Sequence, residues 1–155
     1  MNFVGIDNGT TATFAIYRLR EKDISIYKMP LRKDRVGKYR LVDTEKVLKI
    51  IDDKAWISSC YFFIERFYTN PKFPLAVVSG ALNFGYMLHA LRAYDPAIVS
   101  SSFWKKYLKE KNYSGDKVGA IKYVKDYYNI ECKDADGALL ALAGAEKIEE
   151  LERGE

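Results

Sequence analysis

The chain has 155 residues, 48% of them hydrophobic and 30% charged, with a formal net charge of +4. This is the composition of one globular domain spanning residues 1–155, and it excludes a fibrous or disordered chain. No apolar run reads as long and clean enough to cross a bilayer, no secretory leader opens the chain, and Cys60 and Cys132 are too few for a disulfide framework, so a cytoplasmic protein with two buried free thiols is expected.

Phe3 to Asp7 reads as a buried strand, followed by Asn8-Gly9, a strong hairpin-turn signal. Thr11–Tyr17 and Asp23–Met29 alternate as second and third strands. Pro30 to Leu41 is polar, basic and irregular, a long loop or a strand extension. Asp43 is placed to N-cap a helix through Asp52, with Val47, Leu48, Ile50 and Ile51 as its apolar face. Ser59–Glu65 is an unbroken apolar strand. A loop at 70–74 leads into a long apolar helix, Leu75–Tyr94. Gly80 and Gly85 inside it each cost about 1 kcal/mol relative to alanine, which close approach of another backbone would offset. A short strand, Pro96–Ser100, precedes helices Ser102–Lys109 and Lys117–Tyr128, the second capped by Ser114 or a neighbour. The last helix starts near Asp134 and runs to about Leu151. Three leading strands form an antiparallel meander, and the later two, entered through helical crossovers, pair in parallel. The expectation is an α/β fold with a five-stranded mixed sheet and helices on both faces.

Three acids stand at the edges of apolar elements: Asp7 after Phe3-Val4-Gly5-Ile6, Glu65 after Tyr61-Phe62-Phe63-Ile64, and Asp136 before Gly137-Ala138-Leu139-Leu140. A carboxylate ending a buried strand is costly unless paired or bound to a cation. Hard oxygen ligands of this kind suit Mg2+, with Mn2+ able to substitute. Basic charge gathers in two segments: Arg32, Lys33, Arg35, Lys38 and Arg40 in the first, and seven lysines between Phe103 and Lys125 in the second. Such grouping suits a polyanion, although solvated lysine faces are common. Trp104 reads as a packing residue and His89 as a satisfied or interfacial histidine.

With Gly5-Ile6-Asp7-Asn8-Gly9, Ile64-Glu65-Arg66-Phe67-Tyr68 and Asp136-Gly137-Ala138-Leu139-Leu140-Ala141 in this order, the chain resembles the RuvC-type Holliday junction resolvases of the ribonuclease H-like superfamily. Its small size suits a bacteriophage member. The resemblance implies a ribonuclease H-like fold and a magnesium-dependent endonuclease acting as a homodimer on branched DNA. Such an enzyme resolves four-way junctions by paired symmetric nicks with 5′-phosphate and 3′-hydroxyl ends. Catalytic and metal-binding roles would fall to Asp7, Glu65, Asp134 and Asp136. DNA contacts would fall to Tyr68, Arg32, Lys33, Arg35, Lys105, Lys106 and Lys117, with Tyr68 stacking on a base.

Two positions depart from the family pattern. Asn8 stands where proline is usual, and Lys133 stands where a second acid or histidine is usual. Asp134 is the extra acid, two residues before Asp136, and two helical positions point about 200° apart. It can join the site only from outside regular helix; otherwise it is an N-cap. Rival readings are a YqgF-like RNA-processing nuclease and a non-catalytic binder of branched DNA. A sugar-kinase or actin-like ATPase, suggested by Gly5–Thr11, would need a second lobe this chain is too short to hold.

Overall fold

The computed structural model describes residues 1–67 and 72–154. In chain order the elements are β1 (Asn2–Ile6), β2 (Thr13–Arg18), β3 (Asp23–Lys28), β4 (Leu31–Val36), β5 (Tyr39–Val42), α1 (Thr44–Ala55), β6 (Cys60–Glu65), α2 (Pro74–Leu91), β7 (Ala97–Val99), α3 (Ser101–Glu110), α4 (Lys117–Tyr128) and α5 (Asp136–Arg153). The main sheet has the order β3-β2-β1-β6-β7. Its first three strands pair antiparallel, and β6 and β7 join in parallel, as the crossovers require.

Strand β1 is central and buried on both faces, which is why its residues are all apolar apart from Asn2 at its start. Val4 and Ile6 face α1 and α2 together with Phe62 and Ile64. Phe3 faces the other layer, where Phe63, Trp104 and α5 complete the core. The alternation gives one core on each side of the sheet.

The helix that fixes the acids is α5. A Cβ at Gly5 would lie 2.1 Å from the Gly137 carbonyl oxygen, and one at Gly137 would lie 2.7 Å from that of Thr13. Only glycine at these crossings lets the helix backbone rest directly on β1 and β2. The first turn of α5 is thereby held beside the end of β1.

Residues 31–42 form a hairpin of their own, neither a long loop nor an extension of the third strand. Strands β4 and β5 make a separate two-stranded sheet, with a register shift between Leu31 and Arg35. The charged run Arg32-Lys33-Asp34-Arg35 gives β4 no apolar alternation, so periodicity could not announce it, and only Leu41 and Val42 at the end of β5 are buried. The turn signal was Gly37-Lys38, a two-residue loop with glycine at φ +58° in its first position. Asn83 on α2 is buried and accepts a hydrogen bond from the Val42 amide at 2.8 Å, tying the hairpin to the body.

Some expectations need correction. The Asn8-Gly9 turn is displaced: neither residue has positive φ, and the turn is closed by Ala12 N–H donating to Gly9 O at 3.2 Å. Asp43 does cap α1, accepting from the Lys46 amide, and Asp116, rather than Ser114, caps α4 through the Gly119 amide. Cys60 and Cys132 are free but only partly buried. The 74–94 segment is by length and composition apolar enough to cross a membrane, contrary to the sequence reading. One such helix is weak evidence, and Asn83, Met87 and Leu91 root this one in the fold.

Candidate metal centre

Asp7 leaves the C-terminal end of β1, and Asp136 is the first residue of α5. With Asp134 they offer carboxylate oxygens that lie within 4.8 Å of one another. Asp134 stands outside the helix, whose cap position is Ala135. Its Oδ1 accepts from the Asp136 amide at 2.9 Å, and its Oδ2 lies 3.8 Å from Lys117 Nζ. Asp134 is therefore not the N-cap itself: it steadies the start of the helix from one residue before the cap position, and its carboxylate belongs to the three-aspartate cluster.

Asp136 is buried, its Oδ2 is 3.5 Å from Lys117 Nζ, and its Oδ1 has no hydrogen-bond partner among the described residues. Glu65 ends β6 and stands apart from the three-aspartate cluster. Its Oε2 accepts from Trp104 Nε1 at 3.2 Å. It is close enough to act on Asp7 through space. Burial first, then the charges of Glu65, Asp134 and Asp136, push the Asp7 carboxyl up to about 7 against the pull of Lys117. Burial also raises Asp136, aided by Asp134, and raises Glu65 against the Trp104 hydrogen bond. For Lys117, burial works downward, but Asp136, Asp134 and Asp7 outweigh it and hold the ammonium above its usual range.

These residues fit a divalent cation. The donors are hard oxygens, one of them buried without a partner, and the mutual repulsion is what a cation relieves. Asp7, Asp134 and Asp136 are the residues that would hold such a cation.

The remaining candidates scatter. Lys105 is near enough to favour the charged forms of Glu65 and Asp136, and its Nζ lies 5.5 Å from the Trp104 ring centroid. Lys106 points away into a 3.6 Å pair with exposed Glu110. Arg32, Lys33 and Arg35 stand exposed on β4, where Arg32 forms a two-pronged pair with Asp34 at 3.0 and 2.6 Å. Tyr68 lies outside the described residues. His89 has its ring nitrogens 3.0–3.2 Å from Arg92 Nη1.

Two residues at the site escaped the sequence reading. Trp104 was expected to pack, which it does, but its indole N–H also holds Glu65. Asn8 was assigned to a turn, yet it is buried, and its Nδ2 donates to the Glu65 carbonyl oxygen at 2.5 Å. Its position straight after Asp7 was the available signal. A cavity of about 220 Å³ opens between Asp7, Asn8, Glu65 and Phe67.

No family model matches the sequence, and no curated protein matches it. Among solved structures the chain is similar to T. thermophilus RuvC in complex with Holliday junction substrate, with a TM-score of 0.64, 14% identity and 96% of each chain covered. The fold is RuvC-like, a ribonuclease H-like mixed sheet with helices.

Proposed function

We propose that this chain is a metal-dependent endonuclease that cuts branched DNA, resolving four-way junctions by paired nicks. The observation that carries the reading is the convergence of Asp7, Asp134 and Asp136 within 4.8 Å in a RuvC-like fold. Support for the substrate comes from the similar structure, which is a junction complex, and from the basic segments on β4, β5, α3 and α4.

Asp7, Asp134 and Asp136, with Glu65 alongside, would hold magnesium, or manganese in its place. Bound there, the metal supplies water activation and charge stabilisation at the leaving 3′ oxygen. The chain supplies the geometry. The first turn of α5 fixes Asp136, the Asp136 amide fixes Asp134, and the Trp104 indole fixes Glu65. The Lys117 ammonium, 3.5–3.8 Å from two of the acids, is placed to meet a phosphate drawn to the cluster and offset its negative charge.

Two symmetric nicks need two sites, which a C2 homodimer provides. Helix α2 is its candidate interface, since Leu75, Val78 and Tyr86 are exposed along it and a Cβ at Gly85 would meet nothing within 4 Å. The deciding experiment is cleavage of a synthetic four-way junction with magnesium, beside duplex, forked DNA and structured RNA. Metal-dependent cutting of the junction is expected. Equal cutting of duplex, cutting of RNA alone, or none at all would sink the reading.

A further inference from the structure

We propose that Asn8 is a positioning residue of the metal centre, its amide clamping the end of β6 while its free oxygen accepts from the hydration shell of a divalent ion bound at Asp7 and its acidic neighbours. This rests on the nuclease reading and deepens it at a residue where the chain departs from the pattern it resembles.

The orientation of the Asn8 amide is fixed by chemistry. Its partner is the main-chain carbonyl oxygen of Glu65, 2.5 Å away, and a carbonyl can only accept. The nitrogen must therefore face Glu65, because a flipped amide would set oxygen against oxygen. Oδ1 is then committed to the other direction. Asn8 is 6% exposed, and this oxygen has no hydrogen-bond partner among the described residues. Buried acceptors are rarely left this way, since each forfeits the water it had in the unfolded chain. The turn does not explain the residue either, because the turn lies further along and Asn8 has no positive φ.

What Asn8 does share is a wall. It lines the cavity of about 220 Å³ with Asp7 and Glu65, the two carboxylates that end the neighbouring strands β1 and β6. Ionised carboxylates only accept, so they offer Oδ1 no proton, and Arg66, which shares the wall, makes no hydrogen bond to it. A magnesium-type ion bound by one or two carboxylates keeps several waters, and these are donors. An amide oxygen beside such an ion orients its shell, and groups in that position are typically worth 10–100-fold in affinity or activity. By joining Asp7 and Glu65 through adjacent backbone, Asn8 also keeps the two strand ends in step.

The test is Mn2+ binding by calorimetry to the full chain without DNA, beside melting temperatures in EDTA and in Mn2+. Asn8→Ala is expected to weaken Mn2+ binding about ten-fold or more and to melt lower in EDTA, because acceptor and clamp are both lost. Asn8→Asp keeps an acceptor but loses the donor. It is expected to melt lower in EDTA, bind Mn2+ at least as tightly as the parent, and gain more melting temperature from it. An Asn8→Ala protein with the parent's Mn2+ affinity overturns the inference and leaves Asn8 a clamp beside ordinary water. Should Asn8→Ala fail to fold, Asn8→Asp decides, and weakened Mn2+ binding there overturns it. A parent chain that takes up no Mn2+ overturns the nuclease reading itself and this inference with it, so the parent titration separates the two failures.

Discussion

At the scale of the residue, the proposed site is four acids and one lysine held in a partly dry pocket. Asp7, raised to about 7 by burial and by its acidic neighbours, gives a sign that can be checked. Its folded pKa lies above the ordinary 3.8, so the folded chain binds more protons between those values, and stability falls as pH rises through that window. Glu65 and Asp136 are raised too and act in the same direction. In EDTA the melting temperature is expected to be higher at about pH 5 than at about pH 8, and magnesium should restore it at the higher pH. A flat profile in EDTA would remove the electrostatic conflict from the site. Asp7→Asn, Glu65→Gln and Asp136→Asn are each expected to abolish cleavage but keep junction binding, measured by gel shift beside turnover. Asp134→Asn separates two jobs. Asparagine still accepts from the Asp136 amide, so melting should barely move, whereas loss of the anion should cost at least about ten-fold in turnover. An active Asp134→Asn would leave that residue as a helix-start device.

At the scale of the element, two pieces matter: the α5 contact with β1 and the basic hairpin. Adding one methyl at Gly5 would drive α5 off the strand, because the obstruction is backbone at 2.1 and 2.5 Å. Gly5→Ala is expected to cost about 3 kcal/mol or more in urea unfolding, and surviving folded protein should bind metal poorly because Asp7 and Asp136 part. Parent-like unfolding and metal binding would mean that the contact relaxes cheaply. The hairpin puts Arg35 opposite Arg40 on exposed strands, a like-charge pairing that a polyanion would relieve. Arg32→Ala with Lys33→Ala, and separately Lys105→Ala with Lys106→Ala, should weaken binding to all branched DNAs alike and flatten the salt dependence by about one unit of slope per lost phosphate contact. Since Lys106 points to Glu110, Lys105 is expected to carry most of the second effect. Unchanged salt slopes would reduce these residues to solvated surface.

At the scale of the whole molecule, the two glycines of α2 now have different surroundings. A Cβ at Gly80 would lie 3.8 Å from Phe67, within the chain, while Gly85 opens outward. Gly85→Leu, rather than Gly80→Leu, is therefore expected to push two copies apart. On a supercoiled cruciform it should turn linear product into nicked circles, with sedimentation reporting the monomer. A parent that sediments as a monomer alone and on junction DNA would end the two-site proposal. The sequence by itself determined the sheet and the acids' element ends, because buried strands need unbroken apolar runs and a charge at their edge stands out. The hairpin at 31–42 was only half legible, since the charged run of β4 carries no burial signal and only Gly37 marked its turn. Tertiary structure alone decided what stands across space: Lys117 between Asp134 and Asp136, Trp104 on Glu65, Asn8 on the carbonyl of Glu65, and Lys106 turned away. Those contacts join residues up to 57 positions apart, and periodicity, which reports only which face of its own element a side chain occupies, is silent about the neighbour it meets there.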